Sequence, residues 1–155
     1  MDIRHPVDDS PEAAVGRHRR VLVATDMTAA SAGAVRAGID MARRSGASLV
    51  VLSVIDASHL RLPGGLFQRR VDQVRAERES ALVGVVADAR GLGVAAQFLI
   101  WEGDPGPSLV DAAEAENADI IVVGSRGRGS IGRLLLGSVS SYVVANARKP
   151  VVVIR

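Results

Sequence analysis

The sequence predicts a single open α/β domain, a five-stranded parallel sheet with helices on both faces. Three observations predict it. Short unbroken apolar runs alternate with longer stretches of helical character along the chain. Those runs lack the in-out alternation of half-solvated strands, as expected of strands covered on both faces. Glycine, aspartate or proline punctuates the junctions between them. The resulting order, β-α-β-α-β-α-β-α-β, calls for parallel pairing through right-handed crossovers.

Taken in order, residues 1–18 carry two prolines, several charges and no apolar period, and read as a mobile N-terminal arm ahead of a domain spanning 19–155. Val21-Leu22-Val23-Ala24 is the first strand, closed by Thr25-Asp26. Ala29 to Ser45 repeats apolar residues at helical spacing, and Gly46 suits its C-terminal cap. Ser48 to Ile55 is the second strand, and residues 56–66 form a loop around Pro63-Gly64-Gly65. A charge-rich helix over 67–90 stops at Gly91 and Gly93, and Val94 to Trp101 is the third strand. The turn Glu102-Gly103-Asp104-Pro105 leads into a helix reaching about Asn117, and Asp119 to Val123 is the fourth strand. A glycine-rich loop, a helix from Ser138 to Ala147 and a strand from Pro150 to Ile154 complete the chain.

Composition limits the function classes. The 155 residues make one domain, large enough to bury roughly 70% of its unfolded surface without a staple. There is no cysteine, which excludes disulfides and thiolate metal sites. The pI of 9.9 suggests nucleic acid, but the formal charge is only +2. Arginines such as Arg43, Arg44, Arg69, Arg70, Arg75, Arg78 and Arg90 are scattered, and aromatics are 3%. A nucleic-acid surface needs clustered charge and stacking platforms. No apolar run reaches the ~20 residues of a membrane span, and the polar N-terminus has no signal-peptide core, so a cytoplasmic protein is expected. His5, His18 and His59 share no ligand spacing, so no metal site is expected. No local Ser-His-Asp or Cys-His pair stands out, so no catalytic residue is named.

The chemistry lies in the stretch from Gly124 to Ser140. Glycines let backbone N–H groups approach an anion, because no Cβ stands in the way. Ser138 and Ser140 open a helix whose first N–H groups are free and carry the positive end of its dipole. Three arginines lie in the loop, and the whole suits a polyphosphate. It is not a Walker A loop, which needs Gly-Lys-Ser/Thr, because the only lysine is Lys149. Gly127-x-Gly129-x-x-Gly132 matches the dinucleotide pattern. That pattern belongs on a first βαβ unit with an acid ~20 residues on, and the strand that follows here has none.

Gly124-x2-Gly127-x9-Gly137-Ser138 is similar to the ATP-binding signature of the universal stress protein family. The likeness covers about residues 19–155, including Asp26 at the end of strand one, the 102–105 turn and the terminal strand. It implies a sheet order of 3-2-1-4-5, with the order reversing between strands one and four. Ligands of open α/β sheets bind at such a reversal, so Thr25-Asp26 and the segment Gly124 to Gly129 are expected to face one crevice.

The resemblance further implies an adenine pocket lined by Ala24, Thr25, Asp26, Val54 and Val123. It implies ribose and phosphate contacts at Gly124, Gly127, Gly137, Ser138, Val139 and Ser140. Arg126, Arg128 and Gly129 join the candidates from charge and place in the loop. The ligand expected is ATP, with Mg2+ carried by its phosphates, AMP or another adenine nucleotide being the variant reading. Plainer readings stand beside these: Asp26 as a helix cap, Val54 as core, the two arginines as solvated charges, Trp101 as packing.

The function expected is a nucleotide-dependent stress-response or signalling module. A slow ATPase or phosphotransferase is the alternative, and a coenzyme-binding α/β domain the third reading. A homodimer through residues 150–154 is expected, because an apolar edge strand invites pairing and the resemblance points the same way.

Overall fold

The structure, a computed structural model, describes residues 19–60, 62–125 and 136–155. The arm at 1–18 lies outside them, as do Arg126, Gly127, Arg128 and Gly129. Five strands, β1 (Arg20–Ala24), β2 (Ser48–Ile55), β3 (Ala96–Glu102), β4 (Ile120–Gly124) and β5 (Val151–Ile154), pair in parallel in the order β3-β2-β1-β4-β5. The α-helices among the described residues are α1 (Ala29–Ser45), α2 (Leu66–Gly91), α3 (Pro105–Ala115) and α4 (Ser138–Asn146). The sheet order and the parallel pairing agree with the expectation from sequence.

The two faces of the sheet bury separate cores. Val21, Val23, Leu49, Val51 and Val122 pack against Ala34, Ala42, Leu82 and Val86 of α1 and α2. Leu22, Val50, Leu52, Ile121 and Val123 pack against Leu109, Ala113 and Val143 of α3 and α4. Consecutive strand residues thus enter opposite cores, which is why the runs read as continuously apolar. Helix α1 lies close on β1 because Gly38 has no side chain: a Cβ there would stand 3.0 Å from the Val23 Cβ. Gly46 ends the same helix in the left-handed region (φ 64°), with its N–H on the Ala42 carbonyl.

The differences from sequence lie at element ends and in one loop, and each has a local cause. Strand β3 starts at Ala96 rather than Val94, because the Val94 N–H still closes the end of α2 on the Ala89 carbonyl. The Leu49 N–H takes the Ala95 carbonyl and begins the ladder there. Helix α3 stops at Ala115 rather than Asn117, because Asn117 turns to φ 51° and the Ala118 N–H closes on Ala113. The 56–66 loop contains a 3-10 turn over Ala57–His59. Asp56 begins that turn by accepting the Ser58 N–H at 3.0 Å.

Candidate functional site

Where the strand order reverses, β1 stands between β2 and β4, and the chain leaves the strand ends in different directions. A crevice of about 1010 Å³ opens there, at the upper end of small-molecule sites. Its floor is apolar: Ala24 from β1, Leu52 and Val54 from β2, and Val123 from β4. One wall is the start of α4, where Gly137, Ser138, Val139 and Ser140 line the opening beside Gly124. Ser138, Val139 and Ser140 hold the first helical N–H groups, which have no partner inside the helix and favour an anion.

The segment bearing Arg126 to Gly129 leaves and rejoins the described chain at this wall. Its two ends are tied together, the Gly137 N–H donating to the Ser125 carbonyl at 2.8 Å. Ser125 is itself fixed by its N–H on the Ile154 carbonyl at 2.7 Å.

The opposite rim is the turn from Thr25 to Thr28, which is folded onto its own side chains. The buried Thr25 hydroxyl lies 2.8 Å from the Ser31 hydroxyl and accepts the Met27 N–H at 3.0 Å. Met27 takes φ 63°, a conformation rare for a residue with a side chain and held here by its neighbours. Asp26 accepts the Thr28 N–H at 3.0 Å and the Thr28 hydroxyl as well. The helix cap itself is Thr28, so Asp26 makes a turn ahead of the helix rather than capping it. Burial raises the Asp26 pKa, but the hydrogen bonds from Thr28 and the Ser31 hydroxyl outweigh it and hold the carboxyl below its ordinary value.

A carboxyl depressed in the folded chain stabilises the fold above its unfolded value, about 3.9. That contribution is lost as pH falls through the lower folded value. Urea denaturation of the natural chain and of Asp26→Asn is expected to show a stability gap at neutral pH that closes progressively below about pH 4. A gap unchanged with pH would mean that the carboxylate charge plays no part in the turn.

Ala24, Thr25, Asp26, Val54, Val123, Gly124, Gly137, Ser138, Val139 and Ser140 are thus brought to one crevice. Sequence reading missed the third wall, which comes from α2. Arg70, Val74, Arg78 and Ala81 line it, with Glu77 beside them. Their spacing puts them on one face of the helix, a signal that was present in the sequence but pointed to no partner. Asp104 and Pro105, from the turn before α3, also reach the crevice.

Strand β2 runs on past β1. The Thr25 N–H on the Leu52 carbonyl (2.9 Å) is the last rung on that side, and β2 continues to Ile55. Backbone groups alternate sides along a strand: the Leu52 carbonyl faces β1, and the Ile55 carbonyl accepts the Gly103 N–H beside β3. The N–H and C=O of Val54 therefore point to β1's side beyond the end of β1, into the crevice. Among the described residues, no group of three or more His, Asp or Glu side chains is placed to hold a metal ion. No helix among them is long and apolar enough to cross a membrane.

A family model described as the universal stress protein family matches residues 17–155. A universal stress protein of Methanocaldococcus jannaschii is 31% identical over 140 residues, covering 89% of this chain and 82% of its own. One from Mycobacterium tuberculosis is 38% identical over 141 residues, but the match covers only 44% of that longer protein. Among solved structures, the universal stress protein UspA from Lactobacillus plantarum superposes with a TM-score of 0.82 at 29% identity, covering 90% of this chain and 99% of that one. A universal stress protein from Archaeoglobus fulgidus, solved in complex with dAMP, gives 0.67 at 26% identity, covering 88% and 98%.

Proposed function

The chain belongs to the universal stress protein family, and from that premise we propose that it is an adenine-nucleotide-binding module, with ATP as its ligand. The observation that carries the reading is the two-part crevice at the sheet's order reversal. An apolar floor of Ala24, Val54 and Val123 suits a base. The free N–H groups at the start of α4 suit phosphates. The two lie side by side, as the parts of a nucleotide do. The A. fulgidus relative with dAMP supports an adenine nucleotide in this fold. The glycines of the signature, with Arg126 and Arg128, supply further phosphate donors in this reading, and Mg2+ arrives with the phosphates.

Binding here serves a stress-response or signalling role in the cytoplasm, shifting a conformational population or a partner's affinity. Slow hydrolysis or phosphoryl transfer is the second reading. What favours the first is the place of Asp26, whose Oδ1 accepts both Thr28 bonds and so serves the turn at the rim.

Calorimetry with MgATP is the test, and saturable heat at micromolar concentrations is expected. No heat at high micromolar ATP would remove the reading. Turnover above ~1 s⁻¹, ordinary for an enzyme, would replace the signalling role with a catalytic one.

A further inference from the structure

Gly106 is the second residue of α3, directly after Asp104 and Pro105, which reach the crevice. It is buried, and it faces Tyr142 of α4. A Cβ at Gly106 would lie 2.9 Å from the Tyr142 Cγ and 3.0 Å from its Cβ and Cδ1, closer than carbon atoms normally pack. The Tyr142 Cβ is fixed to the backbone of α4, so turning the ring does not relieve the overlap. A shift of one helix against the other is needed. The absence of a side chain at Gly106 therefore sets how near the start of α3 lies to α4.

Tyr142 follows Ser138 by one helical turn, ~5 Å along the axis and on the same face of α4. Ser138 lines the crevice. The first turn is tied to itself, the Ser141 N–H and the Ser140 hydroxyl both donating to the Gly137 carbonyl, at 2.9 and 3.1 Å. A displacement imposed at Tyr142 is thus carried to the N–H groups of Ser138, Val139 and Ser140. The apolar floor is anchored differently, since Ala24, Val54 and Val123 are held in the sheet ladder.

We propose that Gly106 is a positioning residue of the nucleotide site: by leaving room for Tyr142 it sets the place of the α4 N–H groups, and with it the affinity for phosphates rather than for the base. The inference rests on the nucleotide reading of the crevice.

Calorimetry with MgATP and with adenosine on the full chain separates the two parts. Gly106→Ala is expected to bind ATP about tenfold more weakly, the loss of one hydrogen bond to a charged group, and adenosine within about threefold of the natural chain. In the Tyr142→Ala background the same substitution should cost less than about threefold in ATP affinity, because the Cγ and Cδ1 it meets are gone. Stability should follow the same pattern. Alanine is ordinarily favoured over glycine in a helix, so Gly106→Ala should raise the urea midpoint in the Tyr142→Ala background and not in the natural chain.

Should Gly106→Ala fold poorly by circular dichroism, Gly106→Ala/Tyr142→Met keeps the crowded Cβ and Cγ on a more pliable side chain and carries the same expectation for ATP and adenosine. Unchanged ATP affinity in folded Gly106→Ala, an equal loss for ATP and adenosine, or an undiminished loss in the Tyr142→Ala background overturns the role of Gly106 while the nucleotide site stands. A natural chain that binds neither ATP nor adenosine overturns the site and the inference together.

Discussion

Replacing Gly127 by leucine is expected to weaken MgATP binding at least about a hundredfold, ~2.8 kcal/mol, while leaving the far-ultraviolet circular dichroism unchanged. Gly127 is the second glycine of the Gly124-x2-Gly127-x9-Gly137-Ser138 pattern. The segment that carries it starts and ends at the α4 wall of the crevice, through the Gly137 N–H on the Ser125 carbonyl. A phosphate held by backbone N–H groups must come close to the main chain, and a bulky side chain fills that space. The fold should survive because the two cores on the sheet faces are built from other residues. Calorimetry on the natural chain and the variant, prepared together, checks the expectation. Equal affinities would show that the phosphates do not meet the signature loop.

The second large effect is expected at the edge of the sheet, where we propose that two copies pair through β5. The strand lies outermost beside β4, and Val151, Val152, Val153 and Ile154 are each only half-buried. The Pro150 and Ile154 carbonyls accept bonds from Ile121 and Ser125 of the β4 side. By alternation, the N–H and C=O groups of Val151 and Val153 point to the outer edge. An apolar edge with free backbone groups is a template for a second strand, and a two-fold axis lets it meet its own copy.

Val153→Pro therefore removes a donor from the outer edge and none from the β4 side, a change that edge strands tolerate. Light scattering is expected to give twice the 16.2 kDa chain mass for the natural protein and the single chain mass for Val153→Pro at micromolar concentration. Circular dichroism of the variant should remain that of the folded chain. Charged residues at Val151 and Val153 should also split the pair, but both side chains pack toward α3 and α4, so they disturb the core as well. A chain beginning at Arg19 should still dimerise. A natural chain that is monomeric, and associates only when residues 1–18 are removed, would show the edge to be covered within one chain.

The elements and their succession were legible from the residues alone. Runs such as Leu49 to Leu52 could be read as a strand because successive residues enter opposite cores, leaving no polar position among them to confuse the period. Gly46 marked the end of α1 because only a residue without a Cβ sits easily at its left-handed φ. The crevice's β1, β4 and α4 residues were legible because the glycine-serine spacing and Asp26 are local patterns.

What depends on distant chain segments is set by packing instead. That α2 forms a wall of the crevice, with Arg78 on the Val54 carbonyl, requires a helix face and a strand end separated by 24 positions to meet, and no local period records that meeting. That Asp26 closes a turn on Thr28 instead of capping α1 depends on the φ of Met27, which the packing around it fixes. That Val54 offers its backbone to the crevice follows from β2 outrunning β1, a matter of register between strands that a single chain's order of residues does not state.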